Sequence, residues 1–282
     1  MSIRYARFPE DAAAIDTLLQ AIERFDGHVA LTEDGELHYR TGPGHPGLVA
    51  TEGDRLTGYA LLWGSGPSVT IEVAVAPDCR PLQGRRLLAA ALREAGDGPV
   101  ALWASDDDLV AAAKALGLRQ RRAVLQLVRD LPPGTTPQWP PGIEPAAFLP
   151  GRDEPAFLDL NRAAFAGHPD NASWDAEVLA ERMSREWFDA AGIVTARRDG
   201  RLVGACWTKH HRGGVGEIYW IAVHPDEQGR SIGRALALAG LWHLAERCHT
   251  ATLYTEAGAT AARHLYDGLG FRLLRVKRRM VR

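Results

Sequence analysis

The sequence predicts an α/β fold built twice in tandem, each copy a mixed sheet flanked by helices. Three observations carry that reading. An apolar strand, a Pro-Asp turn and an amphipathic helix occur in VTIEVAVAPDCRPLQGRRLLAAALREAG (69–96) and again in GEIYWIAVHPDEQGRSIGRALALAGLWHLAER (216–247). Both halves end on a Leu-Gly step, in KALGLRQRRAVLQLVR (114–129) and DGLGFRLLRVKRRMVR (267–282). Between them lies LPPGTTPQWPPG, whose five prolines and two glycines no helix or central strand tolerates.

The elements follow in the same order in each half. IRYAR and GIEPAAF read as first strands, PEDAAAIDTLLQAIERF and RDEPAFLDLNRAAF as the helices after them. LVATEGDRLTGYALLW (48–63) and IVTARRDGRLVGACWTK (193–209) read as hairpins, turning at Gly53-Asp54 and Asp199-Gly200. Gly117 and Gly270 stand where a helix C-cap is wanted. The expected order is β-α-α-β-β-β-α-β-α-β-β, twice. We expect domains at 1–130 and 142–282, joined by a Pro-rich linker at 131–141.

The 282 residues suffice for two ordinary domains, and 46% hydrophobic against 24% charged residues suits a globular chain with real cores. A net charge of −2 argues against a general nucleic-acid or membrane-surface role. Cys79, Cys206 and Cys248 are scattered and odd in number, which implies no disulfide framework and fits a reducing cytoplasm. No apolar run approaches the roughly 20 residues of a membrane span, and MSIRYARFPEDAAAID lacks the apolar core of a signal peptide. A soluble, cytoplasmic monomer is expected. Arginine so dominates the basic residues that Lys114, Lys209 and Lys277 are the only lysines.

The opening of the helix in the second half, Gln228-Gly229-Arg230-Ser231-Ile232-Gly233-Arg234, is built for an anion. Unpaired backbone N–H groups and the helix dipole face outward there, and glycine lets a phosphate approach the backbone. In this strand-to-helix context the segment resembles the signature of the GNAT acetyltransferase superfamily, Gln/Arg-x-x-Gly-x-Gly/Ala, with Ser231 in place of the middle glycine. The resemblance implies acetyl-CoA with its pyrophosphate on this loop, and pantetheine along the backbone of Ile221, Ala222 and Val223. It also implies contacts from Arg230, Arg234, Ala259 and Arg263, with Ala259 replacing a common asparagine. The first half reads Arg80-Pro81-Leu82-Gln83-Gly84-Arg85. Both signature glycines are lost there and Pro81 removes a donor, so a degenerate site kept as scaffold is expected.

Acetyl transfer from a thioester to an amine needs a base for the amine and an acid for the leaving thiolate. Glu217 opens the strand GEIYWIAV and is the candidate base; a solvated strand-end carboxylate is the alternative. Strict alternation would put Glu217, Tyr219 and Ile221 on one face. Tyr266, in AARHLYDGLGF, matches the superfamily's acid, or packs half-buried on the sheet. The first half has no tyrosine after Trp63, which assigns catalysis to the second. Cys206, His210 and His211 do not complete a tetrahedral metal set, so no metal is expected.

The stretch NRAAFAGHPDNASWDAEVLAERMSREWFD (161–189), with CWTK, GEIYWIAVHP and LYTEAGATAARHLYDGLGF, resembles the mycothiol synthase family of tandem GNAT enzymes. The first half matches chiefly by element order and by FDGHVALTEDGEL (25–37). The resemblance implies transfer of acetyl from acetyl-CoA to the cysteinyl amine of Cys-GlcN-inositol, the last step of mycothiol biosynthesis. It assigns Glu217 as base, Tyr266 as acid, and Asp170, Lys209 and Tyr254 as substrate contacts. Glu33, in a turn-like TEDGE run, would reach the substrate from the first half. Another small amine, or a lapsed CoA-binding module, are the alternatives; retention of both Glu217 and Tyr266 speaks against the second.

Overall fold

The computed structural model describes residues 1–27, 29–41, 47–64, 68–166, 174–211 and 213–282. They form two compact units, residues 1–124 with 276–282, and residues 125–275.

The first unit runs β1 (Ser2–Tyr5), α1 (Ala12–Asp26), α2 (Glu33–Thr41), β2 (Gly47–Glu52), β3 (Arg55–Trp63), β4 (Val69–Val75), α3 (Arg80–Glu94), β5 (Val100–Ala104), α4 (Asp107–Ala115) and the start of β6 (Arg119–Asp130). The second runs from the rest of β6 through β7 (Glu144–Ala147), α5 (Glu154–Ala164), α6 (Ala176–Met183), β8 (Ile193–Arg198), β9 (Arg201–His210), β10 (Val215–Val223), α7 (Ile232–Ala245), β11 (Thr250–Glu256), α8 (Thr260–Asp267) and β12 (Arg272–Val281). The repeat is therefore present element for element. The expected final strand pair is in each case one long strand, because neither RQRRAVLQLVRD nor RLLRVKRRMV contains a turn residue to break it.

In both units three antiparallel strands lead to one parallel pair, β4 with β5 and β10 with β11. The strand beyond that pair is not the one sequence order suggests. In the first unit β5 is flanked by the end of β12, with Arg278 opposite Ala104 and Val281 opposite Ala101. In the second β11 is flanked by β6, and Gln126 donates its amide to Thr252 Oγ1 at 3.1 Å. The units thus divide inside β6 and β12 rather than at residues 131–141. The Pro-rich segment lies against the second unit: Leu131 N–H donates to His249 O at 2.9 Å and Trp242 Nε1–H to Thr135 O at 3.0 Å.

In each unit the strands are covered on both faces. In the second unit α7 covers one face with Ile232, Leu236, Leu241 and Leu244 against Cys206, Ile218 and Leu253. A Cβ on Gly240 would lie 2.7 Å from Cys206 Sγ, so this glycine is what lets α7 sit so close. The opposite face is aromatic. Phe157, Trp174 and Phe188 all meet the ring of Trp207, which has no solvent exposure. That packing fixes β9 and β10 between two layers and holds the site residues they carry.

Candidate active site

The strands β10 and β11 pair only from Val215 opposite Thr250 to Ile218 opposite Leu253. Both continue, β10 to Val223 and β11 to Glu256, so they part after Ile218. Against β9 the register of β10 slips between Ile218 and Trp220, a bulge at Tyr219. The bulge overturns the expected alternation. Tyr219, Trp220 and Ala222 join the aromatic layer, whereas Ile221 and Val223 pack on the α7 side. Ile221 is therefore on the other face from Glu217 and Tyr219.

Glu217 lies just before this parting and is only 8% exposed, which removes it from the class of solvated strand-end carboxylates. His211 Nε2 is 2.6 Å from Glu217 Oε2, so the imidazole donates to the carboxylate and leaves the second oxygen for another partner. Lys209 stands opposite Glu217 in the β9–β10 register. Its ammonium is 4.3 Å from the centre of the Trp187 ring and 5.3 Å from that of Tyr219, a cation held against two rings that pack on each other. Tyr254 on β11 shares this side. Burial, and then the Glu217 carboxylate, push its hydroxyl up to about 12.

Tyr266 is on α8, 5% exposed, and meets Phe271 edge-on at 5.8 Å in the layer on the α7 side. Burial, and then the Cys206 thiol, raise its pKa above the ordinary tyrosine value, so it stays protonated through the neutral range. Glu217 and Tyr266 thus occupy opposite faces of the sheet, Glu217 beside the parting of β10 and β11 and Tyr266 in the layer on the α7 side.

The loop after β10 has a left-handed backbone at Gly229 (φ 76°) and Ser231 (φ 65°). Such alternation turns successive N–H groups to one side, an anion-binding arrangement. α7 then begins at Ile232, with Ser231 at the N-cap but making no side-chain cap bond. Gly233 and Arg234 follow in the first turn, where N–H groups have no helical partner. Gln228 Nε2 donates to Val223 O at 3.2 Å, tying the loop to the strand that precedes it, and Arg230 Nη1 donates to Glu227 Oε2 at 3.0 Å within the loop. Ala259 is the N-cap of α8, and Arg234 and Arg263 donate to Gly268 O and Ala257 O.

The remaining expectations fall elsewhere. Asp170 lies outside the described residues. Glu33 is the first residue of α2 in the first unit. The TEDGE run is helix rather than turn because Thr32 Oγ1 accepts from Gly35 N–H at 3.1 Å and starts it. Cys206, His210 and His211 do not converge. Cys206 is in the core against α7, His211 turns to Glu217, and His210 turns the opposite way. Sequence reasoning missed His211 and Trp187 as site residues. Counting on two residues from Lys209, just past the end of β9, places His211 on the Glu217 side, but the register that puts Lys209 opposite Glu217 is set by tertiary pairing.

The Acetyltransferase (GNAT) family model matches residues 155–271. A mycothiol acetyltransferase of Thermobispora bispora is 42% identical over 276 residues, covering 93% of each chain. One of Streptomyces coelicolor is 38% identical, covering 93% of this chain and 89% of its own. The chain belongs to the mycothiol acetyltransferase family. Among solved structures, a GCN5-related N-acetyltransferase from Sphaerobacter thermophilus superposes with a TM-score of 0.79 at 22% identity, covering all of this chain and 95% of its own. A tandem GNAT protein from the clavulanic acid biosynthesis pathway gives 0.74 at 18% identity, covering all of this chain and 98% of its own. These two likenesses establish the tandem GNAT fold. With the family, they make this mycothiol acetyltransferase relative an acetyl-CoA-dependent N-acetyltransferase.

Proposed function

We propose that the chain transfers acetyl from acetyl-CoA to the cysteinyl amine of Cys-GlcN-inositol, closing mycothiol biosynthesis, with the chemistry in the second unit. The observation that carries this is the buried Glu217 carboxylate, held by His211 beside the parting of β10 and β11.

In this reading the CoA pyrophosphate rests on residues 228–234, and the pantetheine lies along Ile221, Ala222 and Val223, whose backbone has left the parallel ladder. The thioester enters the gap between the strands. Glu217 takes a proton from the amine, directly or through a water, and the nitrogen attacks the carbonyl carbon. The C–S bond then breaks, and Tyr266, from the α7 side of the sheet, donates its proton to the departing thiolate. His211, part-exposed, donates to Glu217 Oε2 and holds the carboxylate with its other oxygen toward the amine. Lys209 and Tyr254 donate to substrate hydroxyls, and Asp170 is a further substrate contact. The first unit takes no part in the chemistry. The enzyme works as a cytoplasmic monomer on small molecules; its three cysteines are free, and no described helix is long and apolar enough to cross a membrane.

The test is incubation with acetyl-CoA and Cys-GlcN-inositol beside a panel of other amines, following CoA release and product mass. Acetylation of the cysteinyl amine well above the panel is expected. Preference for a different amine overturns the substrate assignment, and no turnover with any amine overturns the catalytic one.

A further inference from the structure

On the α7 side of the second unit, away from Glu217, three side chains from three elements converge. Asp189 precedes β8, His210 ends β9 and His243 is in the last turn of α7. One ligand atom from each lies within 4.8 Å of the other two. Asp189 is already oriented: its Oδ1 accepts from Ala191 N–H at 3.0 Å, while Oδ2 faces His243 Nε2 at 3.6 Å. The His210 and His243 rings stand 5.6 Å apart.

Both imidazole Nε2 atoms are shielded from solvent and have no hydrogen-bond partner among the described residues. A buried polar atom left so is costly, by about 1–3 kcal/mol. Two of them facing one carboxylate call for a shared partner. A proton on His243 would answer one, through an ion pair with Asp189, and leave His210 unanswered. A cation answers both.

We propose that Asp189, His210 and His243 form a binding site for a divalent transition-metal ion of the zinc class. Two imidazoles and a carboxylate are borderline donors suited to zinc, and three protein ligands leave a fourth position for water. Bonds of about 2.0–2.2 Å set ligand atoms roughly 3.4 Å apart, a separation that His243 and Asp189 already approach at 3.6 Å, with the His210 ligand atom within 4.8 Å of both. Gly192 leaves room at this point, since a Cβ there would lie 3.3 Å from His243 Nε2. The ion would join the turn before β8, the end of β9 and the end of α7.

The full chain, freed of metal by chelator, is titrated with zinc chloride by calorimetry and with cobalt chloride by visible absorption. Expected are one saturable zinc site per chain, cobalt bands of a low-coordinate nitrogen–oxygen site, and a rise in Tm with zinc. His210→Ala and His243→Ala should each weaken zinc by at least about tenfold. Asp189→Asn guards against misfolding, because an asparagine still accepts from Ala191 N–H; it should weaken zinc and abolish the Tm rise while unfolding cooperatively. Absence of saturable binding, or binding unchanged in all three variants, overturns the site. A loss of Tm in Asp189→Asn that is the same with and without zinc, with no zinc binding in the parent, identifies a plain ion pair instead.

Discussion

The two units share an element order, and laying one on the other through VAPD and VHPD shows what separates a scaffold from a candidate catalyst. Val75 corresponds to Val223, and the last parallel pair, Ile71 with Leu102, corresponds to Ile218 with Leu253. Between those marks β10 has one residue more than β4, the bulged Tyr219, while β3 and β4 pair without interruption. Counting from the same pair, Thr70 stands where Glu217 stands. From the Leu-Gly steps, Ala113 stands where Tyr266 stands, and the Leu118 and Phe271 N–H groups close the same turn onto Ala113 O and Tyr266 O at 3.0 Å. The first unit does carry a buried carboxylate on this strand, Glu72, 4% exposed. It accepts from Thr32 N–H at 2.7 Å, Thr32 hydroxyl at 2.5 Å and Trp63 Nε1–H at 3.1 Å, which ties the start of α2 to the sheet. Among the described residues Glu217 has one such partner, His211. A carboxylate whose lone pairs are spent on the fold is structural; one that keeps an oxygen free beside an opening can take a proton.

The phosphate loops differ in the same sense. In the first unit α3 begins at Arg80, four residues before the position at which α7 begins, so the loop has been wound into a helical turn with Pro81 in it. Gln83, at the place of Ser231, is buried and donates to Glu52 Oε1 at 2.6 Å, while Arg80 is paired with Asp26. At the place of Glu52 the second unit has Arg198. An anion would meet a carboxylate in the first unit and turned-out N–H groups in the second. CoA titrated into the protein should therefore bind with one site per chain; two comparable sites would break the comparison.

The largest effect expected from a single substitution is at Glu217. Glu217→Gln keeps the His211 contact and removes the base, so kcat should fall by roughly 10²–10⁴ with the Kd for CoA unchanged. Thr70→Gln, its counterpart, should leave kcat within about twofold. Equal effects at the two positions, or full activity of Glu217→Gln, would remove the base from the second unit. Tyr266→Phe comes next. The ring keeps its packing against Phe271, so stability should hold while kcat falls by about 10². A loss recovered with an acyl donor whose thiol is more acidic identifies the hydroxyl as the proton donor; an equal loss for both donors assigns it to packing.

His211→Ala sharpens the comparison on a smaller scale. A hydrogen bond to a charged group contributes about 1.5–3 kcal/mol, of which only the part realised in the transition state reaches the rate. We expect kcat lower by roughly tenfold, near 1.4 kcal/mol, with KM for acetyl-CoA unchanged. A rise in KM alone would assign His211 to binding rather than to positioning the carboxylate.

Much of this was legible in the residues. The repeat, the hairpins and the helix caps rest on local chemistry, and Gly117 and Gly270 do adopt the left-handed backbone that ends a helix. Glu217 and Tyr266 could be placed on their elements because strand and helix each have one period. What stayed hidden depended on pairing. The bulge at Tyr219 leaves no local trace, since IYWIAV reads as an uninterrupted strand, yet it decides that Ile221 faces away from Glu217. The placing of β12 beside β5 and of β6 beside β11 is set by partners more than a hundred residues away. The meeting of Asp189, His210 and His243 is hidden for the same reason, with three elements bringing together residues that no spacing rule connects.

The smallest effect concerns the departure at Ser231. Its φ of 65° is a glycine conformation imposed on a side chain, at a cost of about 1–2 kcal/mol. Ser231→Gly relieves that, offset by the roughly 0.5–1 kcal/mol that glycine loses in ordering, so Tm should rise by about 1–3 °C. Two terms oppose one another in CoA binding. Removing the Cβ lets a phosphate come nearer the Ile232 and Gly233 N–H groups, while removing the hydroxyl deletes a donor. The hydroxyl makes no cap bond, so it is available to a phosphate, but backbone donors in a left-handed turn are already oriented and a rotating hydroxyl is not. Closer approach should therefore win, tightening the Kd for CoA by about two- to fivefold, as read by calorimetry. A higher Tm with weaker CoA binding would reverse that balance, and would make Ser231 a phosphate ligand bought with backbone strain, a feature of the second unit that has no counterpart at Gln83.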